Sequence, residues 1–211
     1  MTATSWALLA VMLAFAVADW WATWAQRPQV RHVTKPATLV ALIGVAVTLT
    51  PVDPTIRTWM VVGLVLSLAG DVFLMLPERW FVAGLGSFLL GHIAYIVGLQ
   101  LAPRSLGWTL LGIALVLAAV ATVGRRIVLG VAAGDHREMV GPVIAYLVVI
   151  SAMVVSAFGT AGLWAIAGAS LFYASDATLA WNRFLEPRRF GPLAVMVTYH
   201  LGQLGLVAWL V

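Results

Sequence analysis

Eight stretches of the chain consist almost wholly of apolar residues and are separated by short polar breaks. A membrane-crossing helix needs about 20 such residues, with a range of about 17–25. The pattern predicts helices over approximately Thr4–Ala25, Pro36–Thr50, Thr55–Leu76, Arg79–Leu101, Leu106–Gly124, Met139–Phe158, Ala161–Asn182 and Phe190–Val211. The second is short and is expected either to tilt little or to stop below the membrane surface. The breaks carry turn chemistry: Pro51, Asp53 and Pro54; Pro77; Pro103; Gly134 and Asp135; Gly159 and Gly162; Pro187, Gly191 and Pro192. Only Arg125–Glu138 reads as a long loop. The first span has no basic residue before it and exceeds the apolar core of a signal peptide, so it is read as retained.

Composition agrees with this pattern. Of 211 residues, 63% are hydrophobic and 9% charged, against roughly 45–50% and about 25% in soluble domains. The expected architecture is one all-α domain over residues 1–211, with eight transmembrane helices. The absence of cysteine excludes disulfides, thiolate metal sites and thiol nucleophiles. The net charge of +4 is not read as a nucleic-acid surface, because the basic residues stand singly or in pairs in the breaks. Arg27, Arg31, Lys35, Arg79, Arg125, Arg126, Arg137, Arg183, Arg188 and Arg189 fall on one side, and Arg57 and Arg104 on the other. The positive-inside rule then makes the first side cytoplasmic and puts both termini outside, with the bacterial inner membrane as the expected location.

Ionisable residues within a span are costly and usually face a bundle interior, so each is a functional candidate. Asp19, Asp71, His92, Asp176 and His200 qualify. With a 1.5 Å rise per residue, Asp71 and Asp176 lie about 7 and 9 Å from the basic side, Asp19 lies at a similar depth, and His92 and His200 lie about 20 and 16 Å in. This implies a cavity with carboxylates near its mouth and imidazoles at its floor. Asp19 is expected simply to reach interfacial water. Phe88, His92, Tyr95 and Leu99 share a helical stripe, and Gly84, Gly91 and Gly98 recur beside it as a close-packing face. The ten tryptophans read mainly as interfacial belts.

The halves of the chain echo each other: Gly70-Asp71, Leu74, Gly91-His92 and Tyr95 correspond to Ser175-Asp176, Leu179, Tyr199-His200 and Gln203. Two parallel four-helix repeats would bring the two aspartates together across an axis normal to the membrane. Two carboxylates in a low-dielectric pocket cannot easily both ionise, so one can donate a proton while the other stays anionic. Such a pair suits a reaction through an oxocarbenium ion. No metal or other cofactor is needed for it, and the histidines lack a local ligand motif.

Lys35-Pro36, GDVFLM from Gly70, FLLGHIAY from Phe88, GASLFYASD from Gly168 and YHLGQ from Tyr199 together resemble the YhhN family of membrane lysoplasmalogenases. The resemblance implies an alkenyl ether hydrolase that releases a fatty aldehyde and a glycerophospho-head group from a lysoplasmalogen. The family's candidate catalytic aspartates fall on Asp71 and Asp176. On this reading the partners are a membrane lipid substrate and the bilayer. Lys35, Arg79 or Arg183 would pair with the lipid phosphate, and His92, Tyr95, Tyr199, His200 and Gln203 would line the pocket. A proton-coupled or lipid transporter and a non-catalytic lipid-binding protein are the competing classes. Oligomeric state is not read from the sequence. Reporter domains fused to the two termini are expected to be active only on the extracytoplasmic side, and cytoplasmic activity at either would overturn the orientation.

Overall fold

The computed structural model describes all residues, Met1–Val211, and is helical throughout. Nine helices follow one another: α1 (Ala3–Trp24), α2 (Pro28–Thr48), α3 (Pro54–Met75), α4 (Phe81–Gln100), α5 (Leu106–Ala119), α6 (Arg125–Ala133), α7 (Val140–Gly159), α8 (Leu163–Phe184) and α9 (Gly191–Ala208). A π-helical turn, Val120–Gly124, joins α5 to α6 in a single rod. Seven of the resulting long helices are apolar enough to cross a membrane, with α5–α6 counted as one. The eighth, α8, has the length but carries Asp176, Asn182 and Arg183 towards its end.

The helices α1, α2, α3, α4, α7, α8 and α9 each pack on the next, and α9 returns to α1, closing a ring. The rod lies outside it against α7, with α6 filling the space between the basic ends of α7 and α8. There Ile127 and Val131 of α6 bury themselves with Met139 and Val143, backed by Trp181 and Phe184. Helix direction alternates along the chain, so all ten basic residues of the predicted basic side gather at one end. At the opposite end, the Val52 N–H donates to the Leu210 carbonyl and the Ser105 N–H to the Gly159 carbonyl. Arg104 Nη1 also donates to the Ser156 carbonyl there. Seven of the ten tryptophans, including Trp6, Trp24, Trp108 and Trp164, are exposed on the outer surface.

Close backbone approach sets the tightest packing. Gly84, Gly91 and Gly98 all face α3: a methyl group on Gly91 would stand 3.2 Å from the Gly63 carbonyl oxygen. Between α8 and α9 the approach is closer still. A Cβ at Gly168 would lie 2.6 Å from the Leu206 amide nitrogen, and one at Gly205 would lie 2.7 Å from the Gly168 Cα. Where apolar burial drives little helix association, such contacts supply dispersion energy that larger residues would block.

The structure changes two sequence readings. The second helix begins at Pro28 and runs through Pro36, giving 21 residues where a short span from Pro36 was expected. Pro28 occupies the first turn, where its missing N–H costs nothing. Pro36 lies inside the helix and can give no bond to the carbonyl one turn back. Arg31 and Lys35, four residues apart, therefore share one helix face. The supposed loop Arg125–Glu138 is mostly α6, because its Ile127, Val128 and Val131 repeat at helical spacing. The Gly168→Ala substitution is expected to cost about 1–3 kcal/mol by overpacking. Gly86→Ala, which meets open space, should leave the unfolding temperature of the detergent-solubilised protein unchanged or slightly raised, since alanine favours a helix over glycine.

Candidate functional site

A cavity of about 330 Å³ opens within the bundle toward its basic end. Its walls differ in chemistry. Val123, Ile127, Val143, Leu147 and Ile150 make an apolar wall from the rod and α7, and Leu85 and Phe88 of α4 extend it. Arg31, Lys35, Asp71, Asp176, Asn182 and Arg183 make a polar wall from α2, α3 and α8. Both aspartates line this one space.

Asp71 lies four residues before the end of α3 and is 1% exposed. Its carboxylate stands 2.9 Å from Lys35 Nζ through Oδ1, and Oδ2 accepts a 2.8 Å hydrogen bond from the Tyr199 hydroxyl. The ion pair depends on α2 starting at Pro28, since only a helix reaching that far toward the basic end carries Lys35 inward as a buried side chain. Asp176 has different partners. The Tyr146 hydroxyl hydrogen-bonds its Oδ2 at 2.5 Å, His92 Nε2 is 3.8 Å from the same oxygen, and no lysine or arginine pairs with it. Each carboxylate thus meets one phenol, but only Asp71 has a cation.

Of the other residues singled out in the sequence, Tyr199, Lys35 and Arg183 reach the cavity surface. Arg183 is bonded to Glu78 there and stacks over the Phe81 ring. His92, Tyr95, His200 and Gln203 lie behind the wall, each no more than 1% exposed. Phe172, itself fully buried, packs against this group, with its ring 4.7 Å from that of His92 and 6.4 Å from that of Tyr95. The Tyr95 hydroxyl donates to Gln203 Oε1 at 2.6 Å, and Trp20 Nε1 donates to His200 Nδ1 at 3.1 Å. Arg79 is not among the lining residues.

Asp19 differs from expectation. It does not reach water but is fully buried, accepting a 3.0 Å hydrogen bond from Thr34 Oγ1 and facing Arg31 Nε at 3.8 Å. Helix α2 thus presents two cations to two carboxylates on neighbouring helices, Arg31 to Asp19 and Lys35 to Asp71. Sequence reading also passed over Arg31 as a site residue, along with Tyr146, Tyr173 and Asn182 of the lining. A signal for the tyrosines was present. All four tyrosines stand within apolar spans, unlike most of the tryptophans, and a buried phenol needs a partner.

The fold and site define a polytopic helical membrane protein with an amphipathic, carboxylate-bearing cavity open at one end of the bundle. Residues 30–210 match the YhhN family, and the chain belongs to that family. It is similar to the human protein named lysoplasmalogenase TMEM86B, with 35% identity over 147 residues, covering 67% of this chain and 58% of that protein. It is also similar to a lysoplasmalogenase of Mycobacterium bovis, with 34% identity over 154 residues, covering 71% of this chain and 58% of the other. The mouse TMEM86B lysoplasmalogenase is 34% identical over 153 residues, covering 71% and 62% respectively. The chain thus spans about three-fifths of the length of these curated relatives. No solved structure matches it.

Removing Lys35 would leave the Asp71 carboxylate buried without its cation, an imbalance on the order of 3 kcal/mol. The Lys35→Met variant is expected to unfold at lower temperature in detergent, and adding Asp71→Asn should restore most of the loss. Additive losses in the double variant would show that the two side chains are not coupled.

Proposed function

We propose that the chain is a membrane hydrolase that cleaves the vinyl ether of lysoplasmalogens by acid–base catalysis at Asp71 and Asp176. The observation that carries this reading is the convergence of both carboxylates on one amphipathic cavity. The names of its relatives agree with it.

The chemistry begins with proton transfer to the alkenyl carbon β to the ether oxygen, which leaves an oxocarbenium ion at the carbon bonded to that oxygen. Water adds to this carbon and loses a proton, giving a hemiacetal. Collapse of the hemiacetal releases the fatty aldehyde, and the ether oxygen departs as the glycerol hydroxyl. The net change is addition of one water across the cleaved bond. Asp71, held beside the Lys35 ammonium, fits the lasting anion that stabilises the cation. Asp176, which faces a phenol and an imidazole but no ammonium or guanidinium, fits the proton donor. After donation its carboxylate can take the proton that the attacking water loses, as the acid–base residue of a retaining glycosidase does.

The cavity volume is at the low end of the 300–1,000 Å³ typical of ligand pockets. The head group and the reactive ether fit inside, while the rest of a long tail runs out among the helices into lipid. On this proposal the basic end faces the cytoplasm, α8 also crosses the membrane to make eight spans, and the halves α1–α4 and α5–α9 are parallel repeats. The repeat is supported by the hairpin pairs α1/α2 and α3/α4 in one half and α5/α7 and α8/α9 in the other.

Asp71→Asn and Asp176→Asn are each expected to lower aldehyde release from lysoplasmalogen by at least about 100-fold, the usual lower range for loss of a general acid or base. Both should elute as folded protein from size exclusion. Full activity in either variant would remove the mechanism. EDTA should leave the wild-type rate unchanged, and a loss on chelation would favour a metal hydrolase.

A further inference from the structure

The cations of the cavity wall are not equally free. Lys35 is engaged by Asp71 at 2.9 Å. Arg183 is bonded to Glu78, its guanidinium lying on the Phe81 ring. Arg31 alone keeps part of its fork open. Its Nε faces Asp19 at 3.8 Å without forming a hydrogen bond, while the side chain is 32% exposed and lines the cavity. A guanidinium that spends its Nε side on a buried carboxylate still presents its terminal nitrogens, which suit the paired oxygens of a phosphate.

The position of Arg31 also fits a lipid. It lies three residues into α2, and Asp176 lies eight residues from the end of α8, which places them about 5 and about 12 Å below the basic end of the bundle. The difference, about 7 Å along the helix axes, is the kind of spacing that a glycerol unit bridges between its phosphate and its ether oxygen. At and beyond the level of Asp176 the cavity is bounded by apolar Leu147 and Ile150, seven and ten residues into α7, or about 10 and about 15 Å below the basic end. Charged anchor, reactive carboxylates and apolar wall therefore follow one another in the order of the parts of a single-chain phospholipid.

We propose that Arg31 is the phosphate anchor of the cavity and that it fixes a lysophospholipid head-outward, with the ether beside Asp176 and the tail along α7. This rests on the hydrolase reading for the identity of the ether, but not for the binding of phosphate. Arg31 acts as a specificity residue: it distinguishes a phosphorylated glycerol lipid from a neutral one of the same chain length.

The test measures binding rather than turnover. The wild-type chain, Arg31→Gln, Arg31→Lys and Arg183→Gln are purified in a maltoside detergent. Each is titrated with a saturated 1-O-alkyl lysophosphoethanolamine, which cannot be cleaved, with the matching 1-O-alkylglycerol, and with inorganic phosphate. Arg31→Gln is expected to weaken the phospholipid about tenfold or more, the loss of one charged hydrogen-bonding group, and to leave the alkylglycerol unchanged. Arg31→Lys should recover part of the loss, and Arg183→Gln, which removes a guanidinium already bonded to Glu78, should weaken the phospholipid less than Arg31→Gln does. Equal weakening of both lipids in Arg31→Gln would mean a structural role and would overturn the proposal. So would unchanged phospholipid binding, or a loss confined to Arg183→Gln. Inorganic phosphate binding as tightly as the lysolipid would reassign the site to a free anion. Aldehyde release from an alkenyl analogue is assayed in parallel. Phosphate-dependent binding without cleavage would end the hydrolase reading while leaving the anchor in place.

Discussion

The buried contact between Lys35 and Asp71 organises the molecule. A lone carboxylate at 1% exposure in a membrane bundle would be prohibitively unfavourable without a compensating charge. That charge must come from another helix, because α3 carries no lysine and its one arginine, Arg57, is at the opposite end. Helix α2 supplies it, and to do so must continue as a helix from Pro28 through Pro36. The pair ties α2 to α3 in the ring, and Tyr199 extends the tie to α9 through the second carboxylate oxygen. Three helices thus converge on one carboxyl group.

The two carboxylates look alike in sequence and differ in space. Both follow a small residue, both lie some way up from the basic end, and both accept a bond from a tyrosine. The difference comes from helices distant in the chain: α2 brings an ammonium to Asp71, whereas α7 and α4 bring a phenol and an imidazole to Asp176. A pair of like groups becomes two unlike ones because a single cation serves only one of them. Unequal environments are how two carboxyl groups in one pocket take up opposite roles.

Much of the architecture could be read from the order of residues, because lipid imposes a strong rule: apolar runs of membrane length become helices, and basic residues collect at one end. The glycine spacing of α4 was legible for the same reason. The beginning of α2 was not. Arg31, His32 and Lys35 make its first turns look like a loop, and only the carboxylate partners of Arg31 and Lys35 on α1 and α3 explain why that stretch is drawn into the bundle as helix. The course of α6 was hidden similarly, since its amphipathic face is too short to read as a span and becomes meaningful only against Met139, Val143 and Phe184. Within the site, intramembrane charge pointed to the aspartates and histidines. It said nothing of which imidazoles lie behind the cavity wall, because a side chain's depth from the helix end does not fix its distance from the lumen.

The polar character of α8 bears on how the chain enters the membrane. A helix with a carboxyl group, an amide and a guanidinium between Asp176 and its end at Phe184 partitions poorly into hydrocarbon by itself, since such groups each cost several kcal/mol near the middle of a bilayer. Its closest neighbour is α9, and the backbones meet at Gly168, Gly202 and Gly205. The two helices are therefore suited to leave the insertion machinery together as a hairpin, with α8 shielded by a partner from the moment it meets lipid. If α8 crosses the membrane as proposed, the glycines at that crossing serve its entry as well as the finished fold: they let a polar segment go in packed closely against the one that follows it.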